Sequence, residues 1–309
     1  MVTGPVVTGP VVTGPVVTAA SSLGKMVRAD TPDLQSNPDR RALQQFLTAS
    51  RAVGCARLST ESFEPTTVRL AAARDAVIIG FAQAVASTNG CIIDCVAPDP
   101  ATRELLVDSL IASLPGNADV TWWGHDQASD LALAERLHMH ADHRRLLNMR
   151  RPLPLEASIT TAADEVTVRP FVAGRDEQSW LEVNNAAFSW HGEQGGWDLV
   201  TLQARMSEPW FDPAGFLLHE RDGQLAAFCW TKVHGATVGE IYVVAVHPRF
   251  HGHGLGRALT VAGLRHLADK GSTAAMLYVE ADNTSAVRLY ESLGFQTAHT
   301  DVAFHRHAS

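Results

Sequence analysis

Apolar runs of strand length, broken by charged or glycine-bearing turns, occur along this chain in two series that keep the same order. In the later series Gly215–Glu220 predicts a strand, Arg221-Asp222-Gly223 a tight hairpin turn and Gln224–Val233 the returning strand. Glu240–Val246 predicts a third strand, ended by His247-Pro248. The period then changes: Leu255, Leu259, Ala262 and Leu267 form one apolar stripe leading into and along Arg257–Lys270, a helix that Gly271 closes as C-cap. The earlier series runs Val68–Ala73, Arg74-Asp75, Ala76–Ala86 and Cys91–Ala97 before Pro98. Further on, Leu133-Ala134-Glu135-Arg136-Leu137-His138-Met139 matches Leu289-Tyr290-Glu291-Ser292-Leu293-Gly294-Phe295. Pro98 and Pro248 are 150 residues apart, Leu133 and Leu289 156 apart. Strand-rich stretches can resemble one another by chance, but matches kept in order along a whole half point to duplication. Arg151-Pro152-Leu153-Pro154-Leu155 and the following Glu156–Glu165 predict the linker between the halves.

Length agrees with two units, since 309 residues exceed what one hydrophobic core usually organises. Val2-Thr3-Gly4-Pro5-Val6 recurs at Val7–Val11 and Val12–Val16. Repeated Gly-Pro supports neither helix nor ladder, so residues 1–38 are expected to be a disordered tail. That tail lacks the charged start and uninterrupted apolar run of a secretory signal. With 46% hydrophobic and 19% charged residues and no run of about 20 apolar residues, no membrane partner is expected. A net charge of -8 argues against nucleic acid, whose phosphates call for clustered Lys and Arg. Four cysteines without metal-type or scaffold spacing suit a reducing cytoplasm.

The candidate chemistry sits where the third strand of the later series meets its helix. Gly252, Gly254 and Gly256 interrupt His251-Gly252-His253-Gly254-Leu255-Gly256 just before Arg257. A strand, a glycine turn and a helix N-terminus aim several unpaired backbone N–H groups at one point, which suits a phosphate. Glycine is required there because a β-carbon holds the anion off the amides and because such nests use positive φ. By itself the turn is equally well a plain strand–helix connection, and a dinucleotide site needs an acidic residue after the next strand and a fuller glycine pattern. His251-x-His253 and His305-x-His307 lack a further evident ligand at the spacings zinc prefers, so no metal is expected.

Val246-His247-Pro248 with His251–Leu259, followed by Asn283-x-x-Ala286-x-x-Leu289-Tyr290-x-x-Leu293-Gly294-Phe295, resembles the two signatures of the GNAT acyltransferase superfamily. The likeness implies an α/β (α+β) fold of two tandem GNAT-like domains, each a mixed, mostly antiparallel sheet flanked by helices. It implies acetyl-CoA as co-substrate, held by Val244, Ala245, Val246, His251, Gly252, His253, Gly254, Leu255, Gly256 and Arg257 on one side. Asn283, Thr284, Ser285, Ala286, Val287 and Arg288 hold it on the other. His251 departs from the Gln or Arg usual in the family at that position.

Acetyl transfer to an amine needs a base, a polarised carbonyl and a proton donor for the departing thiolate. Glu240 opens an otherwise apolar strand, and strand propensity leaves it equally well an exposed strand-end residue or a carboxylate facing a wet cleft. The resemblance implies the second, with Glu240 as general base, and implies Tyr290 as the acid; by spacing alone Tyr290 could equally be packing. Val183–Phe188, His191–Trp197, Trp210–Pro213, Trp230–His234 and Leu277–Asn283 further resemble the mycothiol synthase family of actinobacteria, itself a tandem acetyltransferase. That likeness implies a small-molecule amine substrate, desacetylmycothiol (cysteinyl-glucosaminyl-inositol), contacted by Glu61, Glu193, Lys232, Glu240 and Tyr278, with Trp197 against a ring. Without it Glu193 and Lys232 read as solvated charges.

The first half offers a contrast. After Pro98 it has no glycine turn, Pro100 removes an amide donor, and Ala134 stands where Tyr290 stands later. The expected organisation is therefore a tail over 1–38, a degenerate domain over 39–151, a linker over 152–165 and a catalytic domain over 166–309, acting as a monomer. The rival enzyme is an acetyltransferase for another small amine or a protein N-terminus. A catalytically dead acyl-CoA-binding module is a third reading, and the retention of Glu240 and Tyr290 argues against it.

Overall fold

The computed structural model describes residues 25–28, 68–74, 77–87, 90–97, 99–115, 118–161, 166–190 and 194–307. Glu61, Glu193 and the VVTGP repeats lie outside them. The first half comprises β2 (Val68–Arg74), β3 (Val77–Ser87), β4 (Gly90–Val96), α1 (Pro100–Ala112), β5 (Val120–His125), α2 (Ala128–Arg136) and β6 (His140–Pro152). After α3 (Ala157–Thr161), β7 (Arg169–Pro170), α4 (Glu177–Ala187) and α5 (Leu199–Met206), the order repeats. It runs β8 (Phe216–Arg221), β9 (Gln224–His234), β10 (Val238–Val246), α6 (Leu255–Asp269), β11 (Ala274–Glu280), α7 (Thr284–Ser292) and β12 (Gln296–Arg306). Small details repeat as well: Met139 N–H donates to Ala134 O and Phe295 N–H to Tyr290 O. His138 (φ 55) takes the left-handed position that Gly294 (φ 83) takes in the second half.

Two expectations about boundaries need correction. Within the expected tail, Lys25–Arg28 forms strand β1, antiparallel to β2, because the open edge of β2 offers a row of backbone groups to pair. The expected linker starts inside β6, which runs through Pro152, and it carries the helical turn α3. On α6, Ala262 is only half-buried, whereas Gly263 and Leu264 join Leu255, Leu259 and Leu267 against the sheet.

Among the described residues the twelve strands form one sheet, ordered β1-β2-β3-β4-β5-β12-β6-β11-β10-β9-β8-β7. Each half therefore gives its last strand to the other. β12 pairs with β5 from Asp301↔His125 to Arg306↔Val120, and β6 with β11 from Ala274↔Pro152 to Glu280↔Leu146. The cores follow the exchange: Val302 and Phe304 pack in the first-half core, and Met149 in the second-half core. Trp122 stacks on Phe304 across the seam, ring centroids 5.1 Å apart. On the opposite face of the seam, Asp301 Oδ1 lies 2.9 Å from His125 Nδ1 and 3.4 Å from His299 Nε2. Among the described residues these three form the one group with metal-type donors. Both imidazoles are within ion-pair reach of the carboxylate, so the group reads as a polar pin across the seam.

α4 covers β8 and β9 through an aromatic core. Phe216 stacks on Trp230 at 4.2 Å, and Trp180 meets Trp230 edge-on at 5.8 Å, with all three fully buried. Each such side chain contributes about 2–3 kcal/mol on burial. At the foot of α4, Asp176 accepts from Arg169 Nη1 (2.6 Å), Arg169 Nη2 (3.1 Å) and Val172 N (2.8 Å). Burial alone raises a carboxyl pKa, but these donors and Arg175 outweigh it and hold Asp176 far below the usual carboxylate range. A depressed folded pKa means stability that is complete above about pH 4 and is lost as pH falls toward the folded value. Asp176→Asn is expected to cost about 3 kcal/mol at pH 7. In denaturant titrations the two proteins should converge at strongly acid pH, and a gap that persists there would count against this account.

Candidate functional site: two clefts that meet at Tyr290

The site exists because two neighbouring strands part. β10 pairs in parallel with β11 only from Val238↔Ala274 to Glu240↔Met276, while its pairing with β9 continues to Val246↔Ala227. A register shift between Ile241 and Val243 bends β10 away. His247 N–H donates to Ala226 O of β9. Ladder alternation then turns the N–H groups of Val244 and Val246 toward the open side.

Beyond β10 the chain makes a short turn of 3₁₀ helix at Pro248–Phe250 and enters the glycine turn. Gly252 (φ 80) and Gly254 (φ 73) hold left-handed backbone, with open space where a β-carbon on Gly252 would stand. Gly254 caps α6 without a side chain, so the first N–H groups of this helix face the cleft. That geometry fits a pyrophosphate. His251 Nε2 lies 3.0 Å from Val246 O and His253 Nδ1 2.9 Å from His251 O. Both rings are thus tied to carbonyls of the turn they stiffen. On the other wall Asn283 Oδ1 accepts from Ala286 N and Ser285 Oγ, capping α7, and Arg257 Nη1 donates to Ser292 Oγ to join the two helices.

These elements line a cleft of about 770 Å³. Of the expected acetyl-CoA contacts, Val244, Ala245, Val246, His251, Gly252, Gly254, Leu255, Gly256, Arg257, Asn283, Ser285 and Ala286 stand on its wall. His253, Thr284, Val287 and Arg288 do not. A second cleft of about 300 Å³ is lined by Tyr278, Glu280, Tyr242 and Gln194, and by Arg144 and Leu146 from β6 of the first half. The two clefts share Phe188, Trp190, Val244, Asn283, Ala286 and Tyr290.

Tyr290 is buried and meets Phe295 edge-on at 5.9 Å. Burial, reinforced by the neighbouring Cys229, pushes its phenol above the ordinary value, so it keeps its proton at neutral pH. Glu240 is 7% exposed, which overturns the solvent-exposed alternative. It is not on either cleft wall: its Oε2 lies 2.6 Å from Nε2 of buried His234. Lys232 stands directly opposite Glu240 on β9, with Nζ 4.3 Å from the Trp210 ring centroid.

Other residues were not evident from sequence. Asn184 and Asn185 fasten the 194–197 loop: Asn184 Nδ2 donates to Gln194 O (2.8 Å), and Asn185 Nδ2 donates to Trp197 O (2.8 Å). Trp197, expected against a substrate ring, instead meets Trp180 of the core at 5.7 Å, and Trp190 takes the place on the cleft walls. Arg144 reaches the second cleft, ion-paired with Glu280, only because β6 crosses into the second half. No local signal marks a residue whose role depends on which strand it pairs with.

The first half presents the opposite at its matching helix. Asp99 caps α1, accepting from Thr102 N and Thr102 Oγ1, both at 2.9 Å, so its own carboxylate fills the place of an anion. Among the described residues no helix is long and apolar enough to cross a membrane.

Residues 178–295 match the acetyltransferase (GNAT) family. Solved structures of similar fold include a tandem GNAT protein from the clavulanic acid biosynthesis pathway (TM-score 0.59, 14% identity, covering 92% of this chain and 98% of that one). A GCN5-related N-acetyltransferase from Sphaerobacter thermophilus gives 0.58 and 19%, covering 91% and 95%. Two curated mycothiol acetyltransferases match about three-fifths of their own length. That of Thermomonospora curvata is 52% identical over 59% of this chain and 62% of its own, and that of Streptomyces avermitilis 51% identical over 59% and 58%. The match to the mycothiol acetyltransferase of Frankia alni runs further, at 44% identity over 74% of each chain. Carrying the acyltransferase turn, the parted strands and this extent of likeness together, the chain belongs to the mycothiol acetyltransferase family of GNAT proteins.

Proposed function

We propose that the chain transfers acetyl from acetyl-CoA to the cysteine amine of cysteinyl-glucosaminyl-inositol, the last step in making mycothiol. The observation that carries this reading is the meeting of the two clefts at Tyr290 and Val244. One has a phosphate-type turn, and the other has the polar and aromatic wall that a sugar-bearing amine requires. Acetyl-CoA supplies the thioester. Val244 and Val246 N–H groups face the space beside Tyr290 and polarise the carbonyl there. Glu240 takes the ammonium proton through water, since it is buried beside His234 and stands off both walls. Tyr290 keeps its proton until the thiolate leaves. Tyr278 and Lys232, with Glu61 and Glu193, hold the acceptor. The first half holds no acetyl-CoA and lends Arg144 and Leu146 to the acceptor wall.

An acetyl-CoA assay should compare cysteinyl-glucosaminyl-inositol with free cysteine and free glucosamine. Discrimination by kcat/KM of at least about 10³ in favour of the whole acceptor is expected, because a site built for hydroxyls leaves them unmet with fragments. Equal rates on the fragments would overturn the acceptor assignment.

A further inference from the structure

His234 has no assigned part in the reaction itself, yet its ring lies 2.6 Å from the carboxylate of the proposed base. It ends β9, and Glu240 lies near the start of β10, across the turn at 235–237. The register pairs His234 with Val238 and Lys232 with Glu240, so His234 and Glu240 are diagonal neighbours on one face. His234 is 3% exposed, its Nε2 is 2.6 Å from Glu240 Oε2, and its Nδ1 has no hydrogen-bond partner. A carboxylate accepts only, so the hydrogen of this ring sits on Nε2. A second hydrogen on Nδ1 would be a buried donor without an acceptor among the described residues. The ring is therefore held in one tautomer, as a fixed donor aimed at one oxygen.

We propose that His234 is a positioning residue for Glu240: its Nε2–H holds Oε2 and tunes how readily the carboxylate takes a proton. This rests on reading Glu240 as the base. Among the described residues, Lys232 stands opposite Glu240 on β9, Tyr242 lies two positions on along β10 within its field, and Arg205 and Glu208 act on that same Tyr242. None of them is altered in the test, so their fields stay constant.

The test uses the full chain with His234→Phe, His234→Asn and His234→Gln. Losing a donor to a carboxylate raises its pKa, so the acid limb of kcat/KM should move up by about one pH unit in the Phe and Asn variants. Their kcat should fall about 10-fold or more at pH 7, with acetyl-CoA affinity within about twofold of the parent. Gln places an N–H at comparable reach and should recover most of the rate and return the limb. A limb that stays put in both Phe and Asn variants, or a Gln variant no better than Asn, would overturn the proposal. The base reading fails separately, through an active Glu240→Gln that keeps the parental acid limb. A limb lost in Glu240→Gln but unmoved in His234→Phe and His234→Asn sinks the role of His234 alone.

Discussion

Glu240→Gln is expected to lower kcat by about 10²- to 10⁴-fold while leaving acetyl-CoA affinity within a few-fold of the parent. The substitution keeps the shape of the side chain and an atom that can meet His234, but removes the carboxylate proposed to take the proton. Glu240 stands off the wall of the cleft proposed for acetyl-CoA, which is why binding of that substrate should survive. The acid limb of the pH–rate profile should disappear with the carboxylate. Retention of more than about a third of the rate would remove Glu240 from the mechanism and leave the amine to lose its proton elsewhere. The two other readings of this chain separate on the same experiment: a dead acyl-CoA-binding module shows no acetyl transfer to lose, and an enzyme for another amine loses it on a different acceptor.

The second large effect is expected at Tyr290. Phe at this position keeps the edge contact with Phe295 and the core around Leu293, so the fold and acetyl-CoA binding should be preserved. What is lost is the hydroxyl proposed as proton donor at the junction of the clefts, expected to be worth about 10²-fold in kcat. Because burial raises the phenol above its ordinary value, Tyr290 gives the parent no alkaline loss of rate below about pH 10. Parallel falls in kcat and in acetyl-CoA affinity would instead mark Tyr290 as a packing residue.

The glycine turn and the cap of the following wall could be read in advance because their geometry is local. A glycine turn between a strand and a helix forces positive φ and exposed amides within six residues of chain, and Asn283 caps its helix within three. Residues whose function depends on pairing between distant strands gave no such signal. Arg144 lies far in sequence from Glu280, yet the two line the same second cleft as an ion pair. His234 falls just past the strand predicted over Gln224–Val233, and the register that sets it diagonal to Glu240 is fixed by the hairpin between them. Trp197 and Trp190 are seven residues apart and equally aromatic; only the fold decided that half-buried Trp197 packs on Trp180 while Trp190 stands on the cleft walls.

By itself, then, the sequence determined the duplication, the strand and helix order of each half, and the half that carries the glycine turn. Periodicity, proline and glycine act over a few residues, and those are the forces that set such features. Only the tertiary structure decided that the halves share a single sheet. Exchange of β6 and β12 preserves every local preference, because either partner offers the same row of backbone donors and acceptors. The choice is made by side chains meeting across the seam, Phe304 against Trp122 and Met149 in the opposite core, and it carries first-half residues into the second-half cleft.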